Sequence, residues 1–422
     1  MQLNTSFIKP PADAPPNLAI SGRFRHSDGR RRDVLGSIPG IAALSDPKAP
    51  RPTGMDAPFQ GQPIQGFSGI RWRPDGTAWV VSDGGFGSKA NSPDVMTMIH
   101  HVRPVWATGQ LEVLRTVFLH DPDGVVPFNV ENAATLKRYL TGADFDFESI
   151  QVIGESIWLG DEYGPYLVRT DFSGKVTGFF ETLVDGVVLR SPDHFRVYTP
   201  PRPGPFATTV QRSRGFEGLG ASPDGRYLYP MFEGPLWLPP TQAWKQRHVE
   251  EKTLRILEFD VQQGAYTGKH FRYALETAGN HVGAFKLIDS ATGLVIERDN
   301  REGDLTQACQ GPPRPDCYNR PALFKRIYKI DLSKPDAKGF VRKIGYIDLL
   351  DIADPKAVAR IGARNGKFSF PLWTIEGLDV VDADHIVVLN DNNLTWSAGR
   401  EFGQPEANEM ILLRVPELLR AR

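Results

Sequence analysis

Gly66-Phe67-Ser68-Gly69-Ile70, then Arg73-Pro74-Asp75-Gly76, then Trp79-Val80-Val81-Ser82-Asp83, is the stretch that organises the chain. It reads as a short strand, a turn and a second strand that ends on an acid. The same order returns four times. Asp146-Phe147-Glu148-Ser149-Ile150 leads to Trp158-Leu159-Gly160-Asp161-Glu162. Gly215-Phe216-Glu217-Gly218-Leu219 leads through Pro223-Asp224-Gly225 to Met231-Phe232-Glu233. Val282-Gly283-Ala284-Phe285-Lys286 leads to Val295-Ile296-Glu297-Arg298-Asp299, and Thr374-Ile375-Glu376-Gly377-Leu378 leads to Leu389-Asn390-Asp391. Further strand-like runs lie at 99–103, 112–119, 254–260 and 326–331. Short strands repeated in this way, with no alternation of strand and helix, predict an all-β fold, a β-propeller.

Five motifs and a motif-poor N-terminus predict six blades, with seven as the alternative. A single domain is expected: an N-terminal extension over 1–16 and the propeller over 17–422. The runs at 17–21 and 410–415 are expected to pair and close the ring. Helical patterning is confined to 131–139, read as a surface insertion. Gly 41 and Pro 35, spread through 422 residues, fit many turns between short elements. Lys+Arg 49 against Asp+Glu 50 leaves a net charge of -1, so nothing favours nucleic acid or an anionic membrane. No apolar run is long enough to span a bilayer. Cys309 and Cys317 are the two cysteines, flanking a Pro-rich loop. They lack the spacing of a redox or metal pair, and a structural disulfide and an oxidising compartment are expected. The start at Met1 has neither basic nor apolar leader character. Together with the disulfide, this gives the expectation of a periplasmic or secreted protein whose leader is missing.

Residues at one repeat position of a propeller converge on its axis. One such position is read as Ser68, Glu148, Glu217, Phe285 and Glu376, and the end of the next strand as Asp83, Asp161 with Glu162, Glu233, Glu297 with Asp299, and Asp391. Asp144, Asp146 and Glu148 alternate and are expected on one strand face. At ~5 Å and an effective dielectric of ~20, each like-charged pair costs about 3 kcal/mol. A cluster of this kind needs protons or a cation. Oxygen ligands with no cysteine and few histidines select Ca²⁺, then Mg²⁺ or Mn²⁺. The expected metal ligands are Asp83, Asp146, Glu148, Glu162, Glu217, Glu233, Glu297, Glu376 and Asp391, with Asn390, Asn392 and Asn393 adding neutral oxygens. Asp75, Asp224 and Asp382 are read as turn residues.

At these motifs the chain resembles the phytase-like propeller family, the "esterase-like activity of phytase" group. The matching segments run from residue 66 to 393: the Gly66 and Asp83 motifs, Thr141 to Ile150, Trp158 to Tyr166, the Gly215 and Ser222 motifs, Val295 to Asn300, and Ile375 to Asn393. The resemblance implies a mostly exported bacterial family, remotely similar to calcium-dependent propeller phosphatases, and hence phosphoester hydrolysis on a metal. Phe285 and Lys286 depart from the pattern, since the fourth repeat has no acid at its strand start.

The expected function is a divalent-metal-dependent phosphoester hydrolase, acting on a small molecule as a monomer. Glu217 would take the proton, and Arg214, Arg298 and Lys286 would hold phosphate oxygens. No Gly-x-Ser-x-Gly elbow is present, and Ser68 has no histidine near it in sequence, which argues against a serine esterase. Two alternatives stand beside this: a lactonase-type metal-assisted hydrolase, and a non-catalytic, metal-stabilised binding module. The segments 122–139 and 296–320, with Trp237 and Trp244, would shape a face of such a module.

Overall fold

In the computed structural model, residues 1–24, 30–197, 208–237 and 252–422 are described; Trp244 lies outside them. Among the described residues, five four-stranded antiparallel sheets form. Blade one is Phe67–Trp72, Ala78–Ser82, Met98–Val105 and Gln110–Phe118. Blade two is Phe147–Ile153, Ser156–Asp161, Tyr166–Thr170 and Val176–Glu181. Blade three is Phe216–Ala221, Tyr227–Phe232, Thr253–Asp260 and Ala265–Ala274, and blade four is His281–Leu287, Thr292–Arg298, Lys325–Asp331 and Arg342–Asp348. Blade five takes Thr374–Val380, His385–Asp391 and Asn408–Arg414 from the C-terminus and Gln2–Leu3 from the N-terminus.

The five innermost strands contact one another in a closed ring, one to two to three to four to five and back to one. The expectation of six blades is therefore corrected to five. The number of motifs equals the number of blades. The described residues among the first sixty do not add a blade. They form short pairs instead, Ser6–Ile8 with Gln62–Ile64 and Ile20–Ser21 with Phe59–Gln60. Ring closure is corrected too: the 410 run pairs with Gln2–Leu3, and not with 17–21. Gln2 also pairs in parallel with Gln110, joining blade five to blade one. Residues 131–139 form turns and no helix.

Each of the five interfaces between blades has its own apolar core. Trp79, Val81 and Ile99 of blade one meet Ile150, Ile157 and Leu159 of blade two, for example. Because strand side chains alternate, each blade packs against both neighbours. A small ring brings the inner strands close. A Cβ on Gly69 would lie 2.9 Å from Cα of Ser149, and one on Gly218 would lie 2.6 Å from the backbone N of Phe285. This is why each motif carries a small residue there: Gly69, Ser149, Gly218, Ala284 or Gly377.

Asp75, Asp224 and Asp382 cap turns by accepting from backbone N–H groups two residues on, as expected. Cys309 and Cys317 form a disulfide with Cα atoms 5.0 Å apart, inside the insertion between the second and third strands of blade four. Among the described residues, no helix is long and apolar enough to cross a membrane.

Candidate metal centre

The inner strand of every blade carries one β-bulge at the same place. Pairing with the second strand skips Ser68, Glu148, Glu217, Gly283 and Glu376 in turn. A bulged residue leaves the ladder and its side chain is re-aimed; here the three glutamates meet at the axis. The fourth-blade member is thus Gly283 and not Phe285, which lies two residues further on and packs in the core shared with blade three. A second ring follows from the same register. Ser82, Asp161, Phe232, Glu297 and Asn390 lie opposite Phe67, Phe147, Phe216, Val282 and Ile375. The residues after them are Asp83, Glu162, Glu233, Arg298 and Asp391. Their backbone is pinned alike: Asp83, Glu162 and Glu233 donate N–H to the carbonyls of Gly66, Asp146 and Gly215 at 2.6, 2.8 and 2.9 Å.

Carboxylate oxygens of Asp83, Asp146 and Glu148 lie within 4.8 Å of one another, as do those of Glu148, Glu217 and Glu376, and those of Glu162, Glu217 and Glu233. Glu148 and Glu217 link the three groups. Asp391 joins electrostatically beside Asp83 and Glu376. Gly66 makes the approach possible: it adopts φ 59°, and a Cβ there would sit 2.9 Å from Cβ of Asp83 and 3.0 Å from Oδ1 of Asp391.

Blade four inverts the charge. Arg298 Nη2 donates to Glu376 Oε1 at 2.9 Å and to Glu233 Oε1 at 3.2 Å, and lies 3.9 Å from Glu217 Oε1. Gly283 gives it room, since a Cβ there would lie 3.4 Å from Arg298 Nε and 2.0 Å from the Ile375 carbonyl. Arg214 Nη1 donates to Glu233 Oε2 at 2.6 Å. Both arginines therefore sit on the side of blades three and four, while Asp83, Asp146 and Glu148 gather on the side of blades one and two.

Burial pushes Asp83, Asp146, Glu148, Glu162, Glu217 and Asp391 above the usual carboxylate range, and neighbouring acids add to most of these shifts. Glu376 is raised to about 7, by burial first, with Arg298 opposing. Burial acts upward on Glu233 as well, but Arg214, His281 and Arg298 outweigh it and hold that carboxyl low. Eight carboxylates face two guanidiniums, which leaves six negative charges uncompensated if all ionise. Glu217 Oε1 is buried with no hydrogen-bond partner. An all-oxygen donor set with an unpartnered buried oxygen fits a hard divalent cation. Most of the cluster is buried; Asp83, Asp146 and Arg214 are partly exposed and form its mouth.

Two expected site residues lie elsewhere. Glu297 is one residue out of register, so strand alternation turns it away from the axis. Its carboxylate instead accepts from Tyr273 Oη at 2.7 Å, Glu276 N and Asn280 Nδ2 at 2.8 Å, and Lys343 Nζ at 2.9 Å. Lys286 pairs with Asp379 at 3.1 Å, further along the inner strand. It lines an axial cavity of about 20 Å³, room for one water, whose wall Glu217 and Glu376 also share. Asp144 does not share the cluster either: it precedes the strand and accepts from Thr141 N and Glu131 N. Asn390 and Asn392 are spent on structure, holding Glu406, Glu409 and Gly66. Asn393 donates to Thr374 Oγ1. Trp237 is partly buried, and its backbone bonds to Thr209.

His281 escaped the sequence reading. It occupies in blade four the place of Asp146 in blade two, with Nδ1 3.7 Å from Glu233 Oε1. The signal was its position, one residue before the motif's first apolar residue. Ser82 and His100 are in contact at 3.0 Å, but both are buried, and the other ring nitrogen faces Thr116. A catalytic triad would need a carboxylate there.

The fold and site define a five-bladed propeller with a carboxylate cluster on its axis. The family model described as "Phytase-like: Esterase-like activity of phytase" matches residues 62–394. The chain belongs to that family, and membership fits a hydrolase. Among curated proteins, no sequence matches. Solved structures that match include the periplasmic gluconolactonase of Pseudomonas aeruginosa, at 12% identity and TM-score 0.31, over 90% of this chain and 99% of that one. The endo-arabinanase of glycoside hydrolase group GH43 from Bacillus licheniformis matches at 11% identity and TM-score 0.36, over 83% and 93%. A putative 6-phosphogluconolactonase from Bacteroides uniformis matches at 14% and 0.31, over 88% and 98%. At such scores the likeness carries no chemistry across.

Proposed function

We propose that this protein is a divalent-metal-dependent hydrolase of phosphoesters. The observation that carries the reading is the polarity of the axial cluster. Asp83, Asp146 and Glu148, from blades one and two, gather without an arginine partner, while Arg298 and Arg214 stand among Glu217, Glu233 and Glu376 on the other side. A doubly ionic substrate head, anionic and drawn to both a cation and guanidiniums, fits that division. A lactone offers no anionic oxygens for two arginines at the reacting centre, so the arginines favour the phosphoester.

Asp83, Asp146 and Glu148 would hold the metal, with Glu217, Glu376 and Asp391 closing the set; Ca²⁺ is the first choice, then Mg²⁺ or Mn²⁺. Such an ion, when bound, supplies neutralisation of charge on phosphoryl oxygens. Arg298 and Arg214 orient the remaining oxygens. The proton released by the attacking water goes to Glu162, which lies beside Glu217 and Glu233 outside that set. Lys286 is assigned no part in holding phosphate. The disulfide supports export to the periplasm or beyond. The test is turnover of aryl phosphate mono- and diesters by purified protein with Ca²⁺, Mn²⁺ or chelator. Turnover that requires metal supports the reading; none on any ester, with metal bound, overturns it in favour of a metal-stabilised binding module.

A further inference from the structure

A second cavity, of about 650 Å³, lies beside blade five and shares no lining residue with the axial cluster. Its walls are the N-terminal segment at 2–5, the turn at 304–307, the segment 361–364 and the loop 399–407. Sites for small molecules run to roughly 300–1,000 Å³.

Of the charged groups in its walls, the exposed Glu401 makes no side-chain bond among the described residues, and the others are engaged. Arg400 grips Glu409 with two bonds of 2.9 Å and donates to the Ser369 carbonyl. Glu406 accepts from Asn390, Ser397 and Gly399. Arg364 donates to Thr306. Four neutral amides are different: Gln2, Asn4, Gln307 and Gln404 line the cavity and make no side-chain hydrogen bond among the described residues. Each amide offers both donors and an acceptor. Phe402 adds an aromatic ring, held 4.8 Å from Tyr318.

A wall of unengaged amides with one ring suits a ligand whose every polar group both donates and accepts, and which carries no charge. Sugar hydroxyls have that property, and the apolar face of a pyranose covers a ring. We propose that this cavity binds an uncharged saccharide of about one or two rings, with Gln307 and Gln404 reading hydroxyls and Phe402 the ring face. The inference is independent of the phosphoester reading.

Saturation-transfer NMR on the full chain in chelator, with glucose, galactose, arabinose, maltose and cellobiose as probes, tests it. At least one sugar is expected to receive saturation, with an affinity that falls about tenfold or more in Phe402→Ala and in Gln307→Ala/Gln404→Ala, a loss of about 1.4 kcal/mol. The amide double variant changes only side chains that hold nothing in the fold, so it remains informative if Phe402→Ala unfolds. No transfer to any of the five sugars, or transfer with unchanged affinity in the amide variant, overturns the proposal.

Discussion

Arg298 Nη2 lies 2.9 Å from Glu376 Oε1, on the strand position where the other four blades place Asp83, Glu162, Glu233 and Asp391. One blade thus supplies a tethered cation to a ring of acids, and Gly283 on the neighbouring strand gives it space. Replacing Arg298 by Ala removes a buried cation and one holder of the substrate's anionic oxygens. The expected result is at least a hundredfold lower kcat/KM on an aryl phosphate, about 2.7 kcal/mol, together with unchanged metal content. Arg298→Lys is expected to recover little, because one ammonium cannot span Glu376 and Glu233 as a guanidinium does. Kinetics with elemental analysis check both.

Glu217→Gln tests the link between metal and fold. Glu217 belongs to two of the three carboxylate groups. Metal content and the melting temperature in metal-containing buffer should both fall. If neither changes, Glu217 is not a ligand.

Glu297→Gln separates structure from site. Its carboxylate accepts four hydrogen bonds at the interface of blades three and four. Removing its charge beside Lys343 should destabilise by about 1–3 kcal/mol in denaturant titration, with metal content unaltered. Loss of metal would place it in the cluster after all.

The metal-free protein should be a case of inverted pH dependence. Burial, with Asp83 and Glu233 nearby and Arg298 opposing, raises Glu376 to about 7, whereas an unfolded glutamate titrates near ~4.3. The folded state keeps a proton that the unfolded state releases, so stability falls as pH rises through that window. For Glu376 alone the loss is on the order of 3 kcal/mol. The melting temperature of chelated protein should therefore drop between pH 5 and pH 8, and Ca²⁺ added at pH 8 should restore it. A rise over the same interval would contradict the charge account.

The propeller and its axial acids were legible because the repeat is local. Phe-Glu-Gly-Leu and its relatives mark each inner strand, and convergence then follows from closure of the ring. Register was less legible. Aligning blade four on Phe285 displaced its bulge by two residues, and choosing Glu297 over Arg298 missed by one, which in a strand reverses the face. The blade count failed because the N-terminal segment is strand-like yet pairs with 59–64, and because Gln2–Leu3 completes blade five from the far end of the chain. Such long-range pairing leaves no pattern in one sequence. His281 and the fate of Asn390 likewise depend on neighbours from other blades.

Anomalous diffraction from crystals grown with Mn²⁺ tests the central claim most directly. A peak among the oxygens of Asp83, Asp146 and Glu148, on the side of the axis away from Arg298, is the predicted result. An axis with no anomalous peak at saturating Mn²⁺ and neutral pH, its acids left to protons and the two arginines, would contradict it.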